Sequence, residues 1–274
     1  MTTIARMQRA NRGARFRAVR LHGADPALLD PFMGIDHAWM SAPTFPPHPH
    51  AGFSAVTYLF LDSGSGMANR DFQGNRNLIE PGGLHWTAAG RGVVHEEVPA
   101  IPGSTTHLLQ IFINLPQNRQ NAAPFALTLA PQEVPVVQRT GVRVRVPLGS
   151  FGGVQSPLAP PTEVTLLDIS LDANAALALS VPAGQRAFVM PINGRAQLDG
   201  EGFGLDDLGA AILPIAAEAT THRLTGQAGG AQVAVFIGTP LRQPVLSNGP
   251  MAFARQEDLI AATAAYQRGE LGQL

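Results

Sequence analysis

Two short pairs of residues carry most of the chemistry this sequence can do. His48-Pro49-His50 supplies one, and His95-Glu96-Glu97 supplies the other through His95 and Glu97. In an extended chain the side chains alternate sides, so residues i and i+2 point the same way, about 7 Å apart. Two such pairs on neighbouring strands can converge on one ion, and no other part of the chain offers such a set. Three neutral imidazoles and a carboxylate suit a divalent first-row metal such as Fe, Ni, Cu or Zn. An octahedral ion held by four protein ligands keeps two positions open, the layout of a metal-dependent oxygenase. A His-x-His pair taken alone is more often the mark of two histidines buried on a strand.

Strands must position these residues, and the sequence is rich in them. The 29 glycines and 23 prolines punctuate short Val/Leu/Ile/Phe runs, which is the pattern of many strands joined by turns. Around the histidines, strands are expected over 52–61, 84–88, 93–98 and 107–115. Spacing of roughly ten residues predicts an antiparallel barrel or sandwich. Upstream, 1–21 reads as two short strands with their arginines on the wet face. Residues 22–47 read as loop-rich, with a short strand near 30–37 that leaves His37 as an outer neighbour of the site or a buried histidine. A polar, Pro-rich stretch after Asn118 marks a boundary. A second all-β half follows, with Asn193-Gly194 as a hairpin turn. It holds one histidine, His222. Residues 256–268 form the clearest helix, with acids in its first turn, Gly269 just past its end and a docking stripe of Leu259, Ala262 and Tyr266. The division expected is 1–130, 131–250 and a helical tail, 251–274.

Composition removes several functions. With no cysteine there is no disulfide, thiolate metal site or cysteine nucleophile. All 19 basic residues are arginine, so Schiff-base and Walker-type lysines are excluded. A net charge of −1 sets up no field favouring nucleic acid or a membrane surface. The N-terminal stretch lacks an apolar core of the secretory kind, and no run approaches the ~18 apolar residues of a membrane span. A cytoplasmic monomer is expected.

The ordered set His48-Pro49-His50, Gly52-Phe53, Val56-Thr57-Tyr58, Asp71-Phe72, Pro81-Gly82, Trp86, Ala89-Gly90-Arg91-Gly92, His95 and Glu97 closely resembles the pirin family of the cupin superfamily. The stretch from Gly238 to Val245, then Asn248-Gly249-Pro250 and the terminal helix, is also similar to pirins. The resemblance implies an all-β bicupin, two jelly-roll β-barrels or sandwiches face to face with a C-terminal α-helix. It implies one mononuclear metal, usually iron as Fe2+, held in the first barrel by His48, His50, His95 and Glu97, and none in the second. This chain departs from the family pattern at Ala51 (commonly Arg), Ser54 (commonly Glu) and His85 (commonly Gln).

Some pirin-like proteins are quercetin 2,3-dioxygenases, so the resemblance points to a flavonol as the small aromatic substrate. Its 3-hydroxyl would lose a proton to Glu97, and ring cleavage by dioxygen would release carbon monoxide. Phe53, Trp86 and Phe112 are candidate apolar walls, His85 a neighbour of the ligands, and Arg91 either an anion contact or a solvated turn residue. Two further readings stand beside the enzyme. One is an iron-dependent regulator that binds a protein partner, a transcription factor or a metabolic enzyme. The other is a catalytically silent scaffold.

Overall fold

The structure, a computed structural model, describes residues 2–22 and 26–274. The first half contributes β1 (Thr3–Arg6), β2 (Gln8–Arg12), β3 (Phe16–Leu21), β4 (Phe32–Met40), β5 (His48–His50), β6 (Phe53–Leu59), β7 (Met67–Asp71), β8 (Arg76–Ile79), β9 (Leu84–Ala88), β10 (Val93–Pro99), β11 (Thr106–Asn114) and β12 (Phe125–Leu129). Seven of these pair antiparallel in the order β12-β9-β6-β11-β4-β3-β2. Facing them is a smaller sheet, β5-β10-β7-β8. The two enclose the first barrel.

The centre of the large sheet is buried on both faces, and β6 shows why. All seven residues of Phe53-Ser54-Ala55-Val56-Thr57-Tyr58-Leu59 are buried. Alternate residues go to different places, as the two-residue period requires. Val56 and Tyr58 join a core shared with Phe188, Met190 and Phe236 of the second half, while Leu59 packs inside the first barrel with Leu108 and Ala38. The second half is a nine-stranded sheet that folds around its own apolar interior, with Val144, Leu167, Val189 and Val235 among its members. The two β halves therefore meet face to face through one core. Polar bonds cross the same junction: the Tyr58 hydroxyl donates to Asp168 at 2.8 Å, and Arg145 Nη2 donates to the Gly82 carbonyl at 2.7 Å.

Both chain ends cross the expected boundaries. β1 pairs with Gly209–Leu213 and so belongs to the second sheet. The C-terminal hairpin (Leu246–Asn248 with Met251–Phe253) and α1 (Gln256–Gln267) pack instead on the first barrel, against Ala51 and Val94. On that helix Leu259, Ala262 and Ala265 face the barrel. Tyr266 is 43% exposed and drops out of the expected stripe.

Two local expectations also change. Residues 32–40 form a full nine-residue strand where a loop with a short strand was expected. Asn193-Gly194 lies inside the continuous strand Arg186–Leu198, at a register shift against Thr220–Gly238. The positive φ of Gly194, 68°, serves a bulge there. The hairpin turn comes later, at Asp199-Gly200 between paired Leu198 and Glu201.

Candidate metal centre

β5 lies antiparallel to β10, with His95 opposite His48 and Val93 opposite His50. The two-residue spacing on β5 and this register turn three imidazoles toward one point. Ring centroids are 4.8 Å apart for His48 and His50, 4.8 Å for His48 and His95, and 4.9 Å for His50 and His95. One ring nitrogen from each lies within 4.8 Å of the other two. Among the described residues no other trio of His, Asp or Glu side chains is drawn together in this way.

The rings are held neutral. Burial pushes His50 down to about 3, with the nearby His48 adding to the effect. His95 is also lowered, first by burial and then by His50, His48 and His85. His48 is lowered by burial, partly offset by its bond to the Pro46 carbonyl. That bond, Nδ1 to carbonyl oxygen at 2.9 Å, places the proton on Nδ1 and leaves Nε2 as a lone pair. His50 packs against Phe53 and Phe112, at 5.2 and 6.0 Å between ring centroids. A neutral imidazole is the form that binds a metal ion, so this trio fits a divalent cation.

Glu97 shares the cavity but stands outside the histidine cluster. Its Oε2 accepts a 2.6 Å hydrogen bond from Thr57 Oγ1, whose oxygen also lies 3.1 Å from Gln110 Oε1. Burial raises the Glu97 carboxyl to about 7, against the lowering effect of the Thr57 bond.

The cavity over the trio measures about 310 Å³. Phe16, Ala38, Met40, Phe45, Met67, Leu108 and Phe112 give it apolar walls, and Arg20, His22, Asp36 and Gln110 add polar groups. Phe112 is thus a wall as expected, and Phe53 supports the His50 ring from behind. His85 lies on the inner face of β9, where Nε2 meets Thr87 Oγ1 at 3.1 Å. Burial pushes it down to about 4, and it is outside the trio.

Two expected neighbours are elsewhere. Trp86, one residue along β9, points the other way into the core shared by the two halves. Arg91 is exposed on a turn. Ser54 also faces away from the cavity, in the same cross-strand row as Ile113 and Ala88, so its departure from the family pattern removes no group from the site. His37 faces away too, bonded to His107 at 2.7 Å.

Thr57, Gln110, Asp36 and Arg20 were not picked out from the sequence. For Thr57, Asp36 and Arg20 the available signal is a lone polar residue of one parity within its strand; Gln110 shares its parity with Thr106 and Asn114. Arg20 had been assigned to a wet face, yet it lines the cavity and pairs with Asp36 at 3.0 Å.

Comparison with known proteins matches the Pirin family model to residues 10–113 and that of the pirin C-terminal cupin domain to 166–272. Pirin of Rattus norvegicus is 32% identical over 99% of this chain and 92% of its own. A Pseudomonas aeruginosa protein provisionally named quercetin 2,3-dioxygenase is 31% identical, over 96% of this chain and 94% of its own. The structure of a bacterial pirin from Escherichia coli in complex with nickel(II) superposes with a TM-score of 0.68 at 17% identity, covering 88% of this chain and all of that one.

Proposed function

This chain belongs to the pirin family, and from that premise we propose that it is a metal-dependent dioxygenase that cleaves flavonols. The ion would be Fe(II), held by His48, His50 and His95, with Glu97 as the fourth ligand, a carboxylate able to shift off the ion. The observation that carries this reading is the open, largely apolar cavity set directly over three neutral imidazoles. A regulator signalling through its surface has no need of such a space. The Pseudomonas relative's name points the same way, and the Escherichia coli pirin was solved with a divalent ion, nickel(II).

When bound, the ion supplies Lewis acidity toward a deprotonated hydroxyl of the substrate. The protein does the rest. Phe112, Phe45 and Met40 flank a flat ring and exclude water from it. Glu97, buried in the same cavity with one oxygen held by Thr57 and the other free, is placed to act as the general base. Its free carboxylate oxygen takes the proton of the flavonol 3-hydroxyl. Thr57 keeps the other oxygen fixed at 2.6 Å.

The test is elemental analysis of the wild type and of His95→Ala after reconstitution with ferrous iron, followed by quercetin turnover with dioxygen and carbon monoxide both measured. About one iron per chain is expected in the wild type, with loss of both metal and turnover in the variant. Full flavonol cleavage by metal-depleted protein would overturn the scheme.

A further inference from the structure

One row of polar side chains starts beside the metal site and crosses the cavity wall, which Gln110, Asp36 and Arg20 line. Thr57 of β6 stands opposite Gln110 of β11, Gln110 opposite Asp36 of β4, and Asp36 opposite Arg20 of β3. Strands lie about 4.8 Å apart, so Thr57 to Asp36 spans about 10 Å. The flanking row on one side is apolar, built from Leu59, Leu108 and Ala38. On the other side Ala55 stands opposite Phe112. Buried polar groups inside an apolar space are costly unless paired, so a continuous polar row there calls for an explanation.

Its inner end touches the metal site through the Thr57–Glu97 bond. Its outer end is a built group. Arg20 Nε donates to Asp36 Oδ2 at 3.0 Å, and His22 Nε2 lies 3.1 Å from Oδ1. The His22 ring folds over Gly34, where a Cβ would come within 3.0 Å of it. All three side chains line the cavity. A carboxylate has about four lone-pair sites, and Arg20 and His22 occupy one on each oxygen. Asp36 can still accept from a ligand. Because Arg20 already balances its charge, the fitting donor is a neutral hydroxyl rather than a cation.

We propose that Asp36, positioned by Arg20 and His22, is the outer recognition group of this cavity. It selects planar aromatic ligands that carry hydroxyls on the ring remote from the metal end, with a catechol ring fitting best. This rests on the flavonol reading of the same cavity and adds to it which flavonols are taken.

The experiment is calorimetric titration of the full chain, loaded with nickel(II) and kept free of oxygen, so that binding is read without turnover. The probes are quercetin and galangin, the same flavonol without hydroxyls on its outer ring. The wild type should bind quercetin about 10-fold or more tightly than galangin, the worth of one well-made buried hydrogen bond. In Asp36→Ala the gap should close to within about 3-fold through loss of quercetin affinity alone. His22→Ala, a change at an exposed residue that threatens the fold little, should narrow the gap part of the way. Equal binding of the two probes by the wild type overturns the proposal and leaves the flavonol reading standing, as does an undiminished gap in Asp36→Ala. Binding of neither probe by the wild type removes both.

Discussion

Thr57 is a neutral side chain with a large part in the arrangement. Its hydroxyl faces Glu97 and Gln110 at once, so it ties the carboxylate to the wall of the cavity. Outer partners of this kind orient groups at a metal site, and their loss typically lowers metal affinity about 10–100-fold. Thr57→Val keeps the shape and removes the bond. The variant is expected to fold normally and to bind nickel(II) about 10-fold more weakly. The Glu97 carboxyl should titrate higher still, since the Thr57 bond is what lowers it. Nickel(II) titration of the two proteins checks this, and unchanged affinity would mean that Glu97 is placed by other contacts.

At the scale of elements, the site depends on a strand of three residues. β5 is the edge of its sheet and pairs with β10 alone within it. Its free side is covered by the far end of the chain. Ala51 bridges Met251, and the Ala252 amide donates to the Ala51 carbonyl at 3.0 Å. Gly52 has φ +83°, and a Cβ there would sit 1.9 Å from the Ala252 carbonyl oxygen, so a side chain at this position would force the two segments apart. From the other side the Val94 amide donates to the Leu271 carbonyl at 3.2 Å, and the Leu271 side chain is buried. Burying one such leucine stabilises by about 1.5–3 kcal/mol. A chain ended after Arg255 loses α1 and Leu271 but no metal-site residue. It should bind nickel(II) several-fold more weakly, with faster amide exchange at Ala51 and Val94. Unchanged exchange there would show that β5 stands without the tail.

For the whole molecule, the burial of histidines sets the response to acid. His37, His48, His50, His85, His95 and His107 are all lowered, each first by burial. The folded chain keeps these rings neutral, whereas the unfolded chain takes up protons below about pH 6.5. Their contribution to stability is complete above that pH and is lost as the pH falls below it. Glu97 has the opposite sign. Raised to about 7, it favours the folded state at low pH, and that contribution is lost as the pH rises from about 4.5 through 7. Burial raises Asp168 as well, but two carboxyls are outweighed by six rings. The urea midpoint of the metal-free protein should therefore fall steadily from pH 7 to pH 5, ahead of the usual carboxylate range. A bound metal should steepen the fall, because its ligands must stay deprotonated. A flat midpoint across that window would contradict this account.

Local pattern was enough to pick out His48, His50 and His95, the trio that the fold gathers, because spacing along one strand needs no knowledge of the partner strand. The same holds for the end of α1. Gly269 takes φ +75°, its amide bonds the Tyr266 carbonyl at 2.9 Å, and the Glu270 amide bonds that of Ala265 at 2.9 Å, all within one turn of chain. The all-β class and the two halves were legible for similar reasons. Facing was not. Alternation reveals a strand's inner side only when the other side is wet, and Leu84–Ala88 is buried throughout, so nothing local told Trp86 from His85. The row from Thr57 to Arg20 was hidden more deeply. It exists only through the register of four strands, two of which, β6 and β11, meet across more than fifty residues of chain. The placing of Glu97 outside the trio, the use of Asn193-Gly194 as a bulge and the docking of the tail on the first barrel were likewise decided by packing between distant segments, which no short stretch of sequence encodes by itself.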